Sequence, residues 1–512
     1  MKNYNSSRFE RGSGILLHIT SLPGKFGIGN LGKSAFEFID YLEAGGQKYW
    51  QILPVGPVSS GYSRSPYSSY SSFAGNPLLI DPVTLQGEPW MKSDILSKLK
   101  EQKNNQFVDF EKVETEIFDI LKIGYKNFIQ NSSGSVLEEY NDFCEKNEYW
   151  LNDYSLFVSL ADRFNTFNWR SWDNGIKNND SETIINTKKL LNEQIGYHKF
   201  IQYIFEKQWK NLKLYSKKKN ISLIGDIPIY AGMDSADVWA NTGIFQFSQD
   251  LFPTGVSGVP PDYFSENGQK WGTPIYRWFK HGTRHLDTYN WWYKRMKRYL
   301  ELVDIVRIDH FRAFSSFWSI DPGSSDGKNG HWEVGPGKEF FDFLREKLGS
   351  LPVIAEDLGI INEDVEKLRS ESGFPGMKIL QFAFDGQPDN PYIPENLSDP
   401  NCVIYTGTHD NNTSKGWFFE EISDESTKQY IKNYLGIDDN KDFIQKFIEL
   451  ALSSIADISI IPLQDILELP GSFRFNTPGT TNNRNWCWKT VSTSLETERM
   501  KKLRSLCELY KR

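Results

Sequence analysis

Eight short apolar segments recur along the chain, each with the length and composition of a β-strand. They lie at 14–19, 49–55, 221–227, 305–309, 352–356, 376–384, 402–408 and 458–464. From the fourth segment onward, strands alternate with helical patterns at 337–348, at 362–371 and through 415–455. Strands that alternate with helices imply parallel β/α units. Eight such units predict an α/β fold of the (β/α)8 TIM-barrel type, and a doubly wound open sheet is the alternative.

Three long stretches interrupt the alternation, and we interpret them as insertions into one unit that spans 1–512. Residues 56–91 form a loop-rich insertion at the predicted barrel mouth, crowded with Gly, Ser, Pro and Tyr. Residues 92–218 carry apolar residues at helical spacing, which predicts a mostly helical insertion. Residues 248–286 form a third insertion, and its Gly-, Pro- and aromatic-rich part, 248–276, is predicted as a loop. Loops this long inside a compact protein are usually functional.

Charge, cysteine usage and hydropathy exclude several classes of partner. The net charge of −8 and the sequence pI of about 5.6 argue against a nucleic-acid partner, which usually leaves a basic footprint. The four cysteines lack C-x-x-C spacing, so we expect neither a disulfide framework nor a zinc site, and a reducing cytoplasm is the default. The polar stretch 1–11 lacks the apolar core of a signal peptide, and no apolar run is long enough to span a membrane. We therefore expect no membrane partner.

Acidic residues lie at the carboxyl ends of four of the predicted strands. Asp226, Asp309, Glu356 and Asp410 stand at or just after the third, fourth, fifth and seventh strands. In a (β/α)8 barrel the carboxyl ends of the strands converge on one mouth, where active sites lie. A single acid there could cap a helix, an alternative that fits Asp357 or Asp410. Four converging acids would repel one another strongly if they were only structural, so we interpret them as catalytic.

The segment 305–312 carries the most informative pair of charges. A strand alternates its side chains, so Arg307 and Asp309 project to the same face. A buried carboxylate beside a buried arginine is costly unless the two are paired, and the arginine favours the ionised acid. An ionised, oriented Asp at a strand end is what a carboxylate nucleophile requires. A purely structural Arg–Asp pair is the alternative.

Two carboxyls in opposite protonation states, with a third acid nearby, are the pattern of a retaining glycosidase-type reaction. Asp309 would attack the anomeric carbon, and Glu356 would protonate the leaving oxygen and then act as base on the acceptor. Asp410 would hold sugar hydroxyls and help to distort the ring. This chemistry predicts about 5–5.5 Å between the Asp309 and Glu356 carboxyls. Aromatic residues, 15% of the chain, suit stacking on pyranose rings, although most will pack in the core.

A glycine motif points to a different chemistry, but the match is incomplete. Gly27, Gly29 and Gly32 fit the dinucleotide fingerprint G-x-G-x-x-G, which would indicate a nucleotide-dependent oxidoreductase. The fingerprint should follow its strand directly and precede an acid by about 20 residues. A Pro-Gly loop intervenes here, and 49–55 offers no acid. We predict instead a mouth loop whose backbone lies close to another segment of the chain.

Two histidines beside acids raise the question of a metal. His310 and His409, with nearby acids, could bind a divalent ion. The spacing makes no compelling metal cluster, so we predict no metal. We expect His409 to donate hydrogen bonds to ligand hydroxyls, and His310 to be a packing residue.

Seven ordered segments carry a likeness to a known family. They are Ser65-Pro-Tyr with Ala74-Gly-Asn-Pro, Ile224-Gly-Asp-Ile-Pro-Ile-Tyr230, Val306-Arg-Ile-Asp-His-Phe-Arg312, Ile354-Ala-Glu-Asp-Leu-Gly359, Gly373-Phe-Pro-Gly-Met-Lys378, Tyr405-Thr-Gly-Thr-His-Asp-Asn411 and Asn476-Thr-Pro-Gly-Thr480. They resemble 4-α-glucanotransferase (amylomaltase, disproportionating enzyme) of the α-amylase clan, over nearly the whole chain. The resemblance implies a barrel with loop-inserted subdomains and no separate C-terminal β domain. It also implies transfer of α-1,4-glucan segments between maltodextrins, with no dissociable cofactor.

The resemblance further implies roles for individual residues. By motif match Asp309 is the expected nucleophile, Glu356 the acid/base and Asp410 the stabiliser of the transition state. Trp271, in the segment similar to the family's acceptor-side loop, is expected to stack on glucan. The other expected substrate-binding residues are Tyr67, Asp226, Arg307, His409, Ser65, Asp385 and Asn476.

The chain does not match the family pattern everywhere. The chain departs from the family pattern at Thr273, where Asn is expected, at Ala313, where Gly is expected, and at Val334, where a basic residue is expected nearby. We expect these departures to affect loop and acceptor contacts, and with them the chain-length preference, but not the acids. An α-glucan hydrolase on the same fold is the alternative function, and a catalytically inactive glucan-binding protein is another, which the three intact acids disfavour. We expect α-1,4-glucan as the binding partner, and a monomer or homodimer.

Overall fold

The computed structural model describes residues 8–102, 105–261, 266–359, 361–491 and 497–512. The first part of the polar N-terminus and residues 262–265 of the predicted 248–286 insertion lie outside the described residues. None of the helices in these ranges combines the length and the hydropathy that a membrane span requires.

Eight parallel strands form the central sheet and follow the order of the eight predicted segments. They are β1 Gly12–Leu16, β2 Tyr49–Gln51, β3 Ser222–Ile227, β4 Ile305–Ile308, β5 Val353–Ala355, β6 Gly376–Ile379, β7 Cys402–Tyr405 and β8 Ile458–Pro462. Hydrogen bonds join them in the order β5-β4-β3-β2-β1-β8-β7-β6. The outer strands also meet, because the Ala355 N–H donates to the Pro375 carbonyl oxygen with an N···O distance of 2.9 Å. The predicted (β/α)8 barrel is confirmed, and the open doubly wound sheet is wrong.

Helices surround this barrel. The longer ones are α1 Lys33–Ala44, α2 Phe110–Asn131, α3 Ser135–Lys146, α4 Glu148–Phe164, α5 Ser181–Leu190, α6 Asn192–Lys218, α7 Leu286–Leu302, α8 Lys338–Leu348, α9 Glu363–Ser372, α10 Glu425–Leu435, α11 Phe443–Ser453 and α12 Thr497–Leu509. Shorter helices span Pro82–Gln86, Asn174–Lys177, Ala236–Ala240, Ser414–Gly416 and Leu463–Ile466. Helices α2 to α6 lie within the stretch 92–218, which agrees with its predicted helical character. The apolar residues Leu151, Tyr154, Phe157 and Leu160 are all buried.

The strands are shorter than the apolar segments that predict them. Pairing along segment 49–55 ends at Gln51, although Leu53 and Val55 remain buried in the loop that follows. Segment 376–384 leaves the ladder after Ile379 and continues as a 3-10 turn at 380–382. An apolar run reports burial, so it predicts which residues enter the core but not where a ladder ends.

A second sheet of four antiparallel strands lies at the barrel mouth. This mouth sheet consists, in spatial order, of Gly330–Val334, Ser316–Ile320, Val256–Val259 and Gln269–Pro274. Its last two strands lie inside 248–276, so the prediction of a loop there is wrong. Their Gly, Ser and Lys residues hide the β-branched alternation that marks a strand in sequence. A small two-stranded ribbon, Phe279–Lys280 with Thr283–Arg284, follows strand Gln269–Pro274 in the chain.

The glycine motif forms a loop of close backbone contact, as predicted. A Cβ added to Gly29 would lie 2.0 Å from the Ile19 carbonyl oxygen, and the Gly29 N–H donates to the Thr20 carbonyl oxygen with an N···O distance of 3.1 Å. Gly29 therefore lets its loop pack against the segment that follows β1. This packing gives the glycine a role that needs no dinucleotide.

Gly14, in the middle of β1, permits the close approach of β1 and β2. A Cβ at this position would lie 2.5 Å from both the Cβ and the backbone oxygen of Tyr49. Because paired backbone cannot move without loss of ladder hydrogen bonds, we expect Gly14→Ala to lower the free energy of unfolding by about 1–3 kcal/mol. The measurement is the midpoint of thermal unfolding. Gly243→Ala is the control, since an added Cβ there meets nothing within 4 Å; equal midpoints in the two variants would contradict the expectation.

Candidate active site

The two central acids lie on neighbouring strand ends. Ile308 of β4 pairs with Ala355 of β5, and Asp309 and Glu356 are the next residues in their chains. The Glu356 N–H donates to the Ile308 carbonyl oxygen with an N···O distance of 3.0 Å, which extends the ladder to this position. The backbone of the barrel therefore fixes the origin of both carboxyl side chains.

Arg307 is buried between two carboxylates. Its Nη1 donates to Asp226 Oδ2 at 2.6 Å and to Asp309 Oδ1 at 3.0 Å, which confirms that Arg307 and Asp309 share one face of β4. Its Nε donates to the Met377 Sδ of β6 at 3.3 Å. Burial lowers the pKa of Arg307, but Asp226 and Asp309 outweigh burial and hold this pKa well above its ordinary value. The guanidinium stays charged and links β3, β4 and β6.

Asp309 is the partner of Arg307 that reaches the cleft. Its side chain is 29% exposed, whereas that of Asp226 is fully buried. Burial raises the pKa of Asp309 to about 6; Arg307 opposes this rise, and the negative charges of Asp226 and Asp410 add to it. At neutral pH the carboxyl is mainly ionised, as the sequence predicts. Its pKa nevertheless lies above the ordinary value, because burial and two carboxylates act against one arginine.

Glu356 is held by two backbone N–H groups. The His310 N–H donates to Oε2 at 2.7 Å, and the Leu358 N–H donates to Oε1 at 3.1 Å. Burial raises the pKa of Glu356 to about 8, with Arg307 and the His310 N–H opposing the rise and Asp309 adding to it. At neutral pH Glu356 therefore holds a proton while its neighbour Asp309 is ionised. This is the arrangement of a general acid beside a nucleophile.

Asp410, which follows β7, remains an anion. His409 Nε2 lies 3.2 Å from Asp410 Oδ2, and Asn476 Nδ2 donates to Oδ1 at 2.6 Å. Burial raises the pKa of Asp410, but His409 and Asn476 outweigh burial and lower the pKa to about 2. Arg474 Nη2 donates to the Asp410 backbone oxygen at 2.6 Å and holds the same turn. His409 and Asn476 thus orient both carboxyl oxygens of Asp410, and its side chain still reaches the cleft.

The helix-cap alternative is wrong for both acids that it concerned. Asp357 Oδ1 accepts the Met377 N–H at 2.7 Å and so joins β5 to β6, while Asn362 caps α9. The short helix after Asp410 is capped by Thr413. Asp357 is thus structural, and Asp410 is free of a cap role.

Aromatic rings form a wall beside the acids. The Tyr67 hydroxyl donates to Asp226 Oδ2 at 2.8 Å, and the Tyr67 ring stacks on the His409 ring with centroids 5.1 Å apart. Trp486 packs against both rings, with centroid distances of 5.8 and 6.0 Å. Ser65 Oγ accepts the Tyr67 N–H at 3.3 Å, which holds the loop in place. The 56–91 stretch therefore reaches the acids.

The other two predicted binding residues differ in position. Trp271 of the mouth sheet is 39% exposed, and its ring meets the His310 ring edge-on with centroids 4.8 Å apart. Because His310 follows Asp309 directly, Trp271 stands at the rim of the cleft. Asp385 is exposed, and its Oδ1 accepts the Gln387 N–H at 2.9 Å. Among the described residues its contacts are local and none reaches the acids, so its binding role stays a prediction.

Three side chains of the site were missed from the sequence: His18, Arg474 and Trp486. His18 and Arg474 line a pocket that also adjoins His409. Burial and the nearby His409 lower the pKa of His18 to about 3, so its ring is neutral. The one available signal was that His18 comes soon after β1, at the carboxyl end of the barrel. Arg474 and Trp486 lie in the irregular segment after β8, which carries no comparable signal.

The two histidines discussed as metal ligands have separate partners. His310 contacts Trp271, whereas His409 contacts Tyr67 and Asp410. Within the described ranges, no group of three or more His, Cys, Asp or Glu side chains is arranged to hold a metal ion.

The three departures from the family pattern lie on or beneath the mouth sheet. Thr273 hydrogen bonds through its hydroxyl to the Ser257 hydroxyl of the adjacent strand. Ala313 is fully buried in the turn after β4, and Val334 is 74% exposed on an edge strand. All three positions are thus in the mouth sheet or in the turn after β4, and none of them is one of the acids.

The chain is similar along its whole length to known proteins. The sequence model of a family described as 4-alpha-glucanotransferase matches residues 17–493. A 4-alpha-glucanotransferase of Clostridium butyricum is 44% identical over 497 residues, which cover 97% of this chain and 100% of that protein. A 4-alpha-glucanotransferase of Synechocystis sp. is 43% identical over 505 residues, which cover 98% of each.

Solved structures agree with these matches. An amylomaltase from Streptococcus agalactiae, in complex with acarbose, superposes with a TM-score of 0.92 at 36% identity, covering 98% of this chain and 100% of that one. An amylomaltase from Corynebacterium glutamicum has a TM-score of 0.77 at 16% identity, covering 98% of this chain and 75% of that one, and at this identity it supports the fold alone. The family model, the full-length identities and the barrel with its acids point the same way. The chain belongs to the 4-alpha-glucanotransferase family.

Proposed function

We propose that this chain transfers segments of α-1,4-glucan from a donor maltodextrin to an acceptor glucose or maltodextrin by a retaining double displacement. The observation that carries the proposal is the pair of neighbouring carboxyls, Asp309 ionised and Glu356 protonated at neutral pH. A retaining reaction needs this pair, because one acid attacks while the other gives a proton. Membership of a transferase family favours transfer over hydrolysis. The separation of about 5–5.5 Å expected for a retaining pair stays a prediction.

In the first step Asp309 attacks the anomeric carbon of the donor while Glu356 gives its proton to the glycosidic oxygen. The Asp309–carbon bond forms, the glycosidic bond breaks, and the reducing-end part of the donor leaves with a new 4-hydroxyl. Glu356 becomes a carboxylate, which the N–H groups of His310 and Leu358 stabilise. Arg307 keeps Asp226 as its partner when Asp309 loses its charge, so the guanidinium is not left unpaired.

In the second step the 4-hydroxyl of an acceptor sugar attacks the anomeric carbon. Glu356 removes the hydroxyl proton, and the bond from Asp309 to the sugar breaks. The enzyme returns with Asp309 ionised and Glu356 protonated, and two inversions leave the α configuration in the product. None of these steps calls for a dissociable cofactor.

The remaining residues hold the donor sugar during both steps. Asp410 supplies a lasting negative charge near the anomeric carbon, where positive charge develops in the transition state. Asn476 and His409 orient this carboxylate, so little reorganisation is needed as the reaction proceeds. Tyr67 offers a ring face that suits the apolar face of a pyranose.

An α-glucan substrate has independent support. The Streptococcus agalactiae amylomaltase, similar to this chain over its full length, was solved in complex with acarbose. In this chain, the half-exposed Trp271 and the ring wall around Tyr67 suit sugar stacking on two sides of the acids. A monomeric or homodimeric state and a cytoplasmic location stay predictions from the sequence.

Incubation with maltotriose alone separates transfer from hydrolysis. We expect glucose and a ladder of longer maltodextrins, because a sugar hydroxyl rather than water resolves the glycosyl-enzyme. Chromatography of the products at early times is the measurement. A mixture of glucose and maltose without any longer chain would identify an α-glucan hydrolase instead.

Asp309→Asn removes the nucleophile while it preserves side-chain size. We expect turnover of maltotriose to fall by on the order of 10⁴-fold with little change in the midpoint of thermal unfolding, since Arg307 keeps Asp226. Asp321→Asn is the matched control, because the Asp321 side chain accepts the Gly323 N–H in an exposed turn. Near-normal turnover by Asp309→Asn would remove the nucleophile role.

The protonation states predict a bell-shaped dependence of kcat/KM on pH. Activity should rise as pH passes about 6, where Asp309 ionises, and fall as pH passes about 8, where Glu356 loses its proton. In Glu356→Gln turnover of maltotriose should fall by orders of magnitude at every pH, since that side chain has no proton to give to the leaving oxygen. The same variant should still release fluoride from an α-maltosyl fluoride donor, because fluoride leaves without a proton. Near-normal turnover of maltotriose by Glu356→Gln would refute the acid/base role.

A further inference from the structure

His310 has an unusual backbone conformation directly after Asp309. Its φ of 53° and ψ of 48° lie in the left-handed region, which only a few per cent of non-glycine residues adopt, most often Asn, Asp and His. This conformation directs the His310 N–H to Glu356 Oε2 at 2.7 Å, and the Phe311 N–H to the Glu356 backbone oxygen at 3.1 Å. Backbone strain of this kind persists where the surrounding structure enforces it, often at active sites. Here it coincides with the bonds that hold the acid/base.

The side chain of His310 faces the opposite way, toward the mouth sheet. Its ring meets Trp271 edge-on, with centroids 4.8 Å apart and an interplanar angle of 86°. Burial and the neighbouring Arg312 lower the pKa of His310 to about 3, so the ring is neutral over the working range. The packing role predicted from the sequence is therefore a contact with the acceptor-side tryptophan.

The same turn is held at a second point. Arg312 lies over the ring of Trp332, with its guanidinium carbon 4.1 Å from the ring centroid. Trp271 and Trp332 belong to the two edge strands of the mouth sheet. The sheet and the turn therefore contact each other through two pairs, His310 with Trp271 and Arg312 with Trp332, and should move as one body.

We propose that His310 is a positioning residue that connects the acceptor platform, Trp271, to the acid/base, Glu356. The proposal rests on the roles proposed above for those two residues. In the second step the acceptor 4-hydroxyl must lie within hydrogen-bond reach of Glu356 while the acceptor ring rests on Trp271. His310 sets the position of Trp271 relative to Glu356, because its ring contacts the tryptophan and its N–H donates to the glutamate. A water molecule needs no platform, so this connection favours transfer over hydrolysis.

His310→Asn separates the ring from the backbone. Asn tolerates the left-handed conformation, so the N–H bond to Glu356 is kept while the contact with Trp271 is lost. We expect the ratio of transfer to hydrolysis on maltotriose to fall by about tenfold, since a small misplacement of an acceptor is costly, with the hydrolysis rate changed far less. His331→Asn is the matched control, because His331 is an exposed histidine of the mouth sheet and should keep the wild-type ratio.

Trp271→Ala removes the same contact from the other side and should lower the ratio as well. The double variant should match Trp271→Ala alone, because the two changes delete one connection. Equal loss of both reactions in His310→Asn, additive effects in the double variant, or an unchanged ratio in Trp271→Ala would overturn the connection. If the wild-type protein makes no maltodextrin that is longer than its substrate, the proposed function itself is overturned. The two failures are therefore distinguishable.

Discussion

The site depends on one buried guanidinium that serves two carboxylates. Arg307 pairs with Asp226, which is fully buried, and with Asp309, which reaches the cleft. A buried charge without a partner is strongly destabilising, so Asp226 makes a permanently charged Arg307 tolerable. This leaves Asp309 free to alternate between an ion and a neutral ester without leaving the arginine unpaired. The ion pair that stabilises the barrel, Arg307 with Asp226, is therefore separate from the carboxylate that reacts, Asp309.

Three acids at one mouth behave differently because their immediate partners differ. Asp410 accepts from Asn476 and lies beside His409, and its pKa falls to about 2. Asp309 has one arginine against burial and two carboxylates, and its pKa rises to about 6. Burial and the charge of Asp309 disfavour the ionised form of Glu356, Arg307 and the His310 N–H only partly offset them, and the pKa of Glu356 rises to about 8. The strand register brings the carboxyls together, and the donors around each one decide its protonation state.

The sequence predicted the barrel and the acids because both depend on local patterns. Apolar segments ending in charge mark buried strands with polar carboxyl ends, and alternation along β4 was enough to pair Arg307 with Asp309. The mouth sheet was missed because its strands pair segments far apart, such as 256–259 with 316–320, and contain glycines that conceal a strand. His18 and Trp486 were missed because only the folded chain brings them to His409. The net rise in the pKa of Asp309 likewise depends on burial and on Asp226 and Asp410, two carboxylates far away in the sequence that no local pattern reveals.

Acid/base chemistry alone does not decide between transfer and hydrolysis, because water and a sugar hydroxyl can both accept the glycosyl group. The choice must therefore lie in how the cleft holds an acceptor relative to Glu356. A flexible loop at 248–276 would allow many acceptor positions, and ordering it would cost conformational entropy in each cycle. The four-stranded mouth sheet contacts the turn after β4 through Trp271 on His310 and Trp332 on Arg312, so its position is set before any substrate arrives. Preorganisation of this kind favours the reactant that the wall fits, and an aromatic wall fits a sugar better than it fits water.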